Sequence, residues 1–157
     1  MIFKTLFQAA ALTLAATMAL GVTAETTPSQ KTKPKTQVAA KAPIKHKVVF
    51  QVSDAEPAKW NLALNNAKNV QQELGADKVE IEIVAYGPGI AMLKADALSA
   101  NRVSEAAQAG VKMVACENTI TVQKLTKADM NKDISYAPAG VVELMQRQSE
   151  GWAYIRP

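Results

Sequence analysis

Residues 47–85 read KVVFQVSDAEPAKWNLALNNAKNVQQELGADKVEIEIVA, and the period of their apolar residues changes twice. Lys47 to Ser53 holds Val48, Val49, Phe50 and Val52 in a short apolar run that ends at Asp54-Ala55-Glu56-Pro57, the pattern of a buried strand entering a turn. Pro57 suits the first turn of a helix, and Trp60, Leu64, Ala67, Val70 and Leu74 then recur at helical spacing until Gly75 stops them. Residues 78–85 alternate Lys78, Glu80 and Glu82 with Val79, Ile81 and Ile83 and close on an apolar pair, which reads as a half-buried strand placed toward a sheet edge. Strand, helix and strand within so short a span form one βαβ unit, whose two strands must lie parallel.

The alternation continues downstream. Tyr86-Gly87-Pro88-Gly89 is a loop, and two helical segments follow it, Ile90 to about Ala95 and Arg102 to Gly110. Val111 to Ala115 is a third strand leading to Cys116, Thr119 to Leu125 is the next helix, and Thr126-Lys127-Ala128-Asp129 is an N-cap opening one more turn. Ile134 to Ala137 is a short strand ended by Pro138, Gly140 to Glu150 a helix closed by Gly151, and Trp152 to Ile155 the last strand. The fold class is therefore α/β: a three-layer sandwich with a mainly parallel sheet of about five strands, one domain over residues 47–157.

Ahead of that domain the chain has another character. Residues 1–24, MIFKTLFQAAALTLAATMALGVTA, carry one charge at Lys4, an apolar run from Leu6 to Leu20 and a small-residue ending, the layout of a secretory signal peptide cleaved after Ala24. The alternative is a retained anchor, since Thr5 to Ala24 is uncharged and just long enough to span a bilayer, and it would be the chain's membrane contact. Export places the protein in a periplasm or outside the cell, where thiols meet oxidising conditions. Residues 25–46, ETTPSQKTKPKTQVAAKAPIKH, offer too little apolar surface to offset chain entropy and read as a disordered Lys- and Pro-rich linker.

Charge follows the same division. Of 18 Lys and Arg, six precede residue 46, opposed there by Glu25 alone, whereas from Lys47 onward 12 basic face 13 acidic side chains. The net charge of +4 therefore belongs to the leader and linker, and nucleic acid, which needs basic charge gathered on a folded face, is not an expected partner. One Cys and one His exclude an intrachain disulfide and most His-based metal sites, so no metal is expected. A Ser-His-Asp triad would need His46, at the end of the linker.

In an open α/β sheet, ligands bind outside the carboxyl ends of the strands. Those ends carry Ser53-Asp54, Tyr86-Gly87-Pro88-Gly89, Cys116-Glu117-Asn118-Thr119 and Pro138-Ala139-Gly140. Cys116 is the nucleophile among them, and the helix beginning beside it favours thiolate. Burial as a small apolar residue is the competing role, and an adjacent Glu117 opposes activation. Gly87 and Gly89 could bring backbone amides to an anion, although their loop lacks the spacing of a dinucleotide or phosphate fingerprint, and no cofactor is expected. Tyr86, Asn118 and Thr119 complete the candidate substrate-binding set, with helix capping the competing role for Asn118 and Thr119. Trp60, Trp152 and Tyr154 fit core packing or subunit contact.

The succession Lys59-Trp60-Asn61 with Asn69, Tyr86-Gly87-Pro88-Gly89, Gly110-Val111, Ala115-Cys116-Glu117-Asn118-Thr119, Gly140-Val141-Val142-Glu143-Leu144 and the ending Gln148 to Pro157 resembles the DsrE/DsrF-like family over about residues 46–157. The resemblance implies a parallel α/β sandwich, a homotrimer or homohexamer and, in sulfur-relay members, a cysteine carrying sulfur as a persulfide; Cys116 matches that cysteine. Glycine is common after it in similar sequences, where Glu117 stands here. Two functions then compete. One is an exported sulfur carrier or sulfurtransferase-like protein that uses Cys116 with a partner thiol protein; the other is a non-enzymatic oligomeric binding or assembly module with a structural cysteine.

Overall fold

A computed structural model describes residues 46–157; the expected leader and nearly all of the expected linker lie outside them. Strand β1 (His46–Val52) opens the fold, so His46 begins the sheet rather than ending the linker. There follow α1 (Pro57–Leu74), β2 (Val79–Ala85), a 3-10 helix (Gly87–Leu93), α2 (Ala100–Gln108), β3 (Val111–Cys116), α3 (Glu117–Val122), a 3-10 turn (Lys127–Asp129), β4 (Ser135–Ala137), α4 (Gly140–Ser149) and β5 (Ala153–Ile155). The five strands make one sheet in the order β4-β3-β2-β1-β5, and every pairing is parallel.

Register divides the side chains between two faces, because successive residues of a strand point to opposite sides. Phe50 stands beside Ile83, and Ile83 beside Met113; these belong to the larger core, closed by Trp60 and Leu64 of α1, Ile90 and Met92 of the 3-10 helix, Val103 of α2 and Ile120 of α3. The opposite face carries Val49, Val84, Val114 and Ala137, which pack with Leu144 of α4. One face thus takes every connection from β1 to β4, and the other takes α4, which returns from β4 to place β5 beside β1.

The largest departure from the sequence reading is the place of β2. It is the central strand, and Glu82 within it has no exposed surface. The acidic alternation of residues 78–85 suggested a solvated face, but that face lies under α4. Arg147 Nε of α4 stands 2.9 Å from Glu82 Oε2 and Lys112 Nζ of β3 stands 3.1 Å from it. Lys47 meets Glu80 at 3.8 Å nearer the rim. Arg147 and the half-exposed Lys112 supply the partners that the alternating pattern assigned to solvent.

Two helix boundaries also move. Gly87 to Leu93 is one continuous 3-10 helix instead of a loop followed by a helix from Ile90. Within it Gly89 rests on the end of β1, where a Cβ would lie 2.3 Å from the Val52 carbonyl oxygen. The expected helix Thr119 to Leu125 instead begins at Glu117 and ends at Val122, with Lys124 turned to φ 55° just beyond it. The Thr126 turn forms a capping box with Asp129, as its spacing predicts. At the C-terminal edge β5 is exposed along its length, and the Tyr154 hydroxyl bonds Gln51 Oε1 of β1. No helix among the described residues is long and apolar enough to cross a membrane.

Replacing Gly89 by Ala forces a methyl group into backbone, which no rotamer change relieves. Chemical denaturation should show a loss of about 3 kcal/mol or more for Gly89→Ala, while Gly87→Ala meets no atom within 4 Å and carries mainly the strain of its φ of 52°.

Candidate functional site

The connections leaving β3 and β4 go to opposite faces of the sheet, α3 to the larger core and α4 to the other. Between two such strands a parallel sheet opens a crevice at its carboxyl edge. Cys116, the last residue of β3, stands there in register with Ala137 of β4. By alternation it shares the α4 face with Val114.

Two helices, α3 and α4, begin beside it. Cys116 holds the N-cap position of α3 in extended conformation without a capping bond through its side chain. Burial pushes the thiol up, yet the Thr119 hydroxyl and the backbone N–H groups of Gly140 and Thr119 favour thiolate, and the balance leaves it below the usual cysteine value. Glu117, adjacent in sequence, has its carboxylate 3.3 Å from Lys127 Nζ, so its charge is met away from the sulfur.

The other candidate residues fall into two groups. Thr119 and Gly87 work together: the Gly87 N–H donates to Thr119 Oγ1 at 3.0 Å, and Gln123 Nε2, one turn later on the same side of α3, donates to the Gly87 carbonyl at 3.0 Å. Thr119 therefore accepts from one loop while its own proton remains free for the sulfur. Tyr86 is half-buried beside Gly140, where an added Cβ would lie 3.1 Å from Tyr86 Cβ and 3.2 Å from Cys116 Cβ. A residue without a side chain eases this close approach of the first turn of α4 to the cysteine.

Gly89 and Asn118 also make contacts within the scaffold. Gly89 is buried against Val52, and the exposed Asn118 gives its backbone N–H to the Pro138 carbonyl at 3.1 Å, fastening α3 to the loop after β4. Ser53 and Asp54 also serve the scaffold, since Gln51 donates to Ser53 Oγ at 3.1 Å and the Trp60 indole donates to the Asp54 carbonyl at 2.7 Å. Trp60 is buried in the core, whereas Tyr154 is exposed at the edge. Sequence reasoning did not find the pinning role of Gln123, although its position four residues after Thr119 was visible, nor the screening of Glu117 by Lys127, which needs the chain to fold back. Among the described residues no group of three or more His, Cys, Asp or Glu could hold a metal ion. The sulfur itself is nearly enclosed, with Cys116 5% exposed.

The model of the DsrE/DsrF-like family matches residues 46–157, and the chain belongs to that family. A protein of unknown function from Methanobacterium thermoautotrophicum, of solved structure, is 34% identical, with a TM-score of 0.69 over 72% of this chain and 100% of that one. A conserved protein of unknown function from Bacteroides thetaiotaomicron is 15% identical, with a TM-score of 0.55 over 71% of this chain and 94% of that one, a likeness of fold alone. No curated protein matches.

If the Thr119 hydroxyl favours thiolate as a donor, Thr119→Val removes that effect without changing side-chain size. Loss of one hydrogen bond to a charged group, about 1.5 kcal/mol, should slow alkylation of Cys116 at neutral pH about tenfold and move its pH profile to higher pH. Thr119→Ser should retain most of the wild-type rate; iodoacetamide kinetics across pH measure both.

Proposed function

We propose that this member of the DsrE/DsrF-like family is an exported sulfur carrier whose working group is the thiolate of Cys116. The observation that supports the reading best is the place of Cys116, the last residue of β3 and the N-cap of α3, packed beside Gly140 at the start of α4 on the carboxyl edge of the sheet. The family supplies the sulfur-relay context, and the leader read from residues 1–24 supplies export to a periplasm or beyond the cell.

The chemistry is an exchange between sulfurs. Cys116 thiolate attacks the outer sulfur of a donor R–S–SH; the donor's S–S bond breaks, R–S⁻ leaves, and Cys116 carries –S–SH with no net oxidation. An acceptor thiolate then attacks that outer sulfur and restores Cys116 thiolate. The chain has one cysteine, so no internal disulfide can release the cargo and the acceptor is an external thiol, here a partner protein.

A second reading rests on burial. With 5% of Cys116 exposed, a donor or acceptor molecule needs the surroundings of the cysteine to open. A structural cysteine inside a binding or assembly module accounts for the enclosure without such movement. Both readings include self-association as a trimer or hexamer. It is supported by the apolar side chains left outside, Val141, Val142 and Met145 on α4 and Tyr154 and Ile155 on β5.

Two measurements test these readings. Incubation with a polysulfide should add mass to the intact protein in steps of about 32 Da, one sulfur each, removable by dithiothreitol and absent in Cys116→Ala. A wild type inert to both polysulfide and iodoacetamide ends the carrier reading and leaves the binding module. Light scattering at micromolar concentration should give a multiple of three chains, and a monomer throughout that range contradicts the assembly.

A further inference from the structure

Four ionic groups occupy the layer between α4 and the centre of the sheet, and none of them touches the cysteine. Glu82 Oε2 receives Arg147 Nε at 2.9 Å and Lys112 Nζ at 3.1 Å. Glu143 Oε1, one turn before Arg147, receives Arg147 Nη2 at 2.7 Å and lies 3.6 Å from Lys112 Nζ. Two carboxylates and two cations thus balance one another, and Glu150 takes the outer Nη1 of Arg147 at 3.0 Å. Arg147 also lies over the Trp152 ring, 5.1 Å from its centroid.

This arrangement is poorly explained as a device for stability. Burial raises the Glu82 carboxyl above its ordinary range, and the pull of Lys112 and Arg147 does not reverse it. An acid raised by folding contributes fully below its unfolded pKa and loses that contribution as pH rises through the folded one. Near neutral pH an apolar residue at position 82 would serve the fold at least as well. What an apolar residue cannot supply is direction. Two links cross from α4 to the sheet, Arg147 Nε to Glu82 and Glu143 Oε1 to Lys112 Nζ, while Glu143 and Glu150 hold the other two Arg147 nitrogens within the helix and its cap. The crossing pairs favour one rotation and one height of α4 on the sheet.

The height of α4 matters at its other end. Gly140, its first residue, lies seven positions from Arg147, about 10 Å along the axis, and packs between Tyr86 and Cys116. A helix of less than three turns transmits a shift at one end to the other as a rigid body. We propose that Glu82, Lys112, Glu143 and Arg147 form a positioning device for Cys116: by clamping α4 to β2 and β3 they hold the first turn of α4, at Gly140, against the cysteine. Arg147 and Glu82 are positioning residues, acting on the thiol through the helix. This inference rests on Cys116 being the working thiol.

The test is the pH profile of Cys116 alkylation by iodoacetamide in the purified protein, with circular dichroism to establish folding. Folded Glu82→Gln and Arg147→Met should react roughly threefold to tenfold more slowly at neutral pH, with the profile moved to higher pH, as expected when a donor to thiolate is weakened. Lys94→Met, which breaks the exposed Lys94–Asp96 pair of 3.1 Å, should leave the profile unchanged. Should the first two variants fail to fold, Lys112→Met, at a half-exposed position, and Glu143→Gln decide by the same shift. Any folded clamp variant whose profile superimposes on the wild type overturns the proposal. Persulfide formation is read separately by mass, so loss of the carrier reading and loss of the clamp are distinct results.

Discussion

The carboxylate of Glu82 stands in the middle strand of a five-stranded sheet with no exposed surface, and its charge has to be met from inside. Lys112 reaches it from the next strand and Arg147 from the one helix that lies on that face. A bare buried carboxylate would cost several kcal/mol, so α4 is constrained to sit where its arginine can reach. The remaining geometry of that face follows. Leu144 comes down on Val49, Val84 and Val114, Trp152 is brought under the arginine, and the chain emerges beside β1 to add β5.

The same helix begins at the cysteine. Because α3 and α4 leave neighbouring strands toward opposite faces, their first turns converge on the crevice between β3 and β4. Cys116 lies there with amides from both helices nearby. Gly140 eases the approach, since a Cβ there would crowd Tyr86 and Cys116 at 3.1–3.2 Å. On the other flank, Thr119 and Gln123 take both backbone polar groups of Gly87, which fixes the 3-10 helix and leaves the threonine proton for the sulfur. Burial and donors oppose one another at this thiol. The donors prevail in its pKa, whereas burial controls access to it.

Much of this was legible in the chain. The βαβ rhythm of residues 47–85, Pro57 opening α1, Gly75 closing it and the capping box at Thr126 depend on neighbours within a few residues, and each was met within a residue or two. The strand ends were likewise readable, so Cys116, Tyr86, Gly87 and Gly140 were placed at one edge before any coordinates. The errors have a common origin. Residues 78–85 look solvated because alternation reports polarity and not what neutralises it, and Arg147, 65 positions away, cannot be assigned to Glu82 from sequence. Gly89 looks like a loop residue because its crowding comes from Val52, far back in the chain.

Local periodicity, capping chemistry and the scarcity of cysteine and histidine therefore determined the α/β class, the parallel sheet and the single cysteine at a strand end, since each depends on interactions a few residues long. Tertiary structure alone decided which strand lies in the middle, which cations meet Glu82, that Lys127 screens Glu117, and that Gly140 rather than a side chain faces the sulfur. Those are contacts between segments distant in sequence. Their partners are chosen by how α4 crosses the sheet, a choice made by packing and charge together and written in no single stretch of residues.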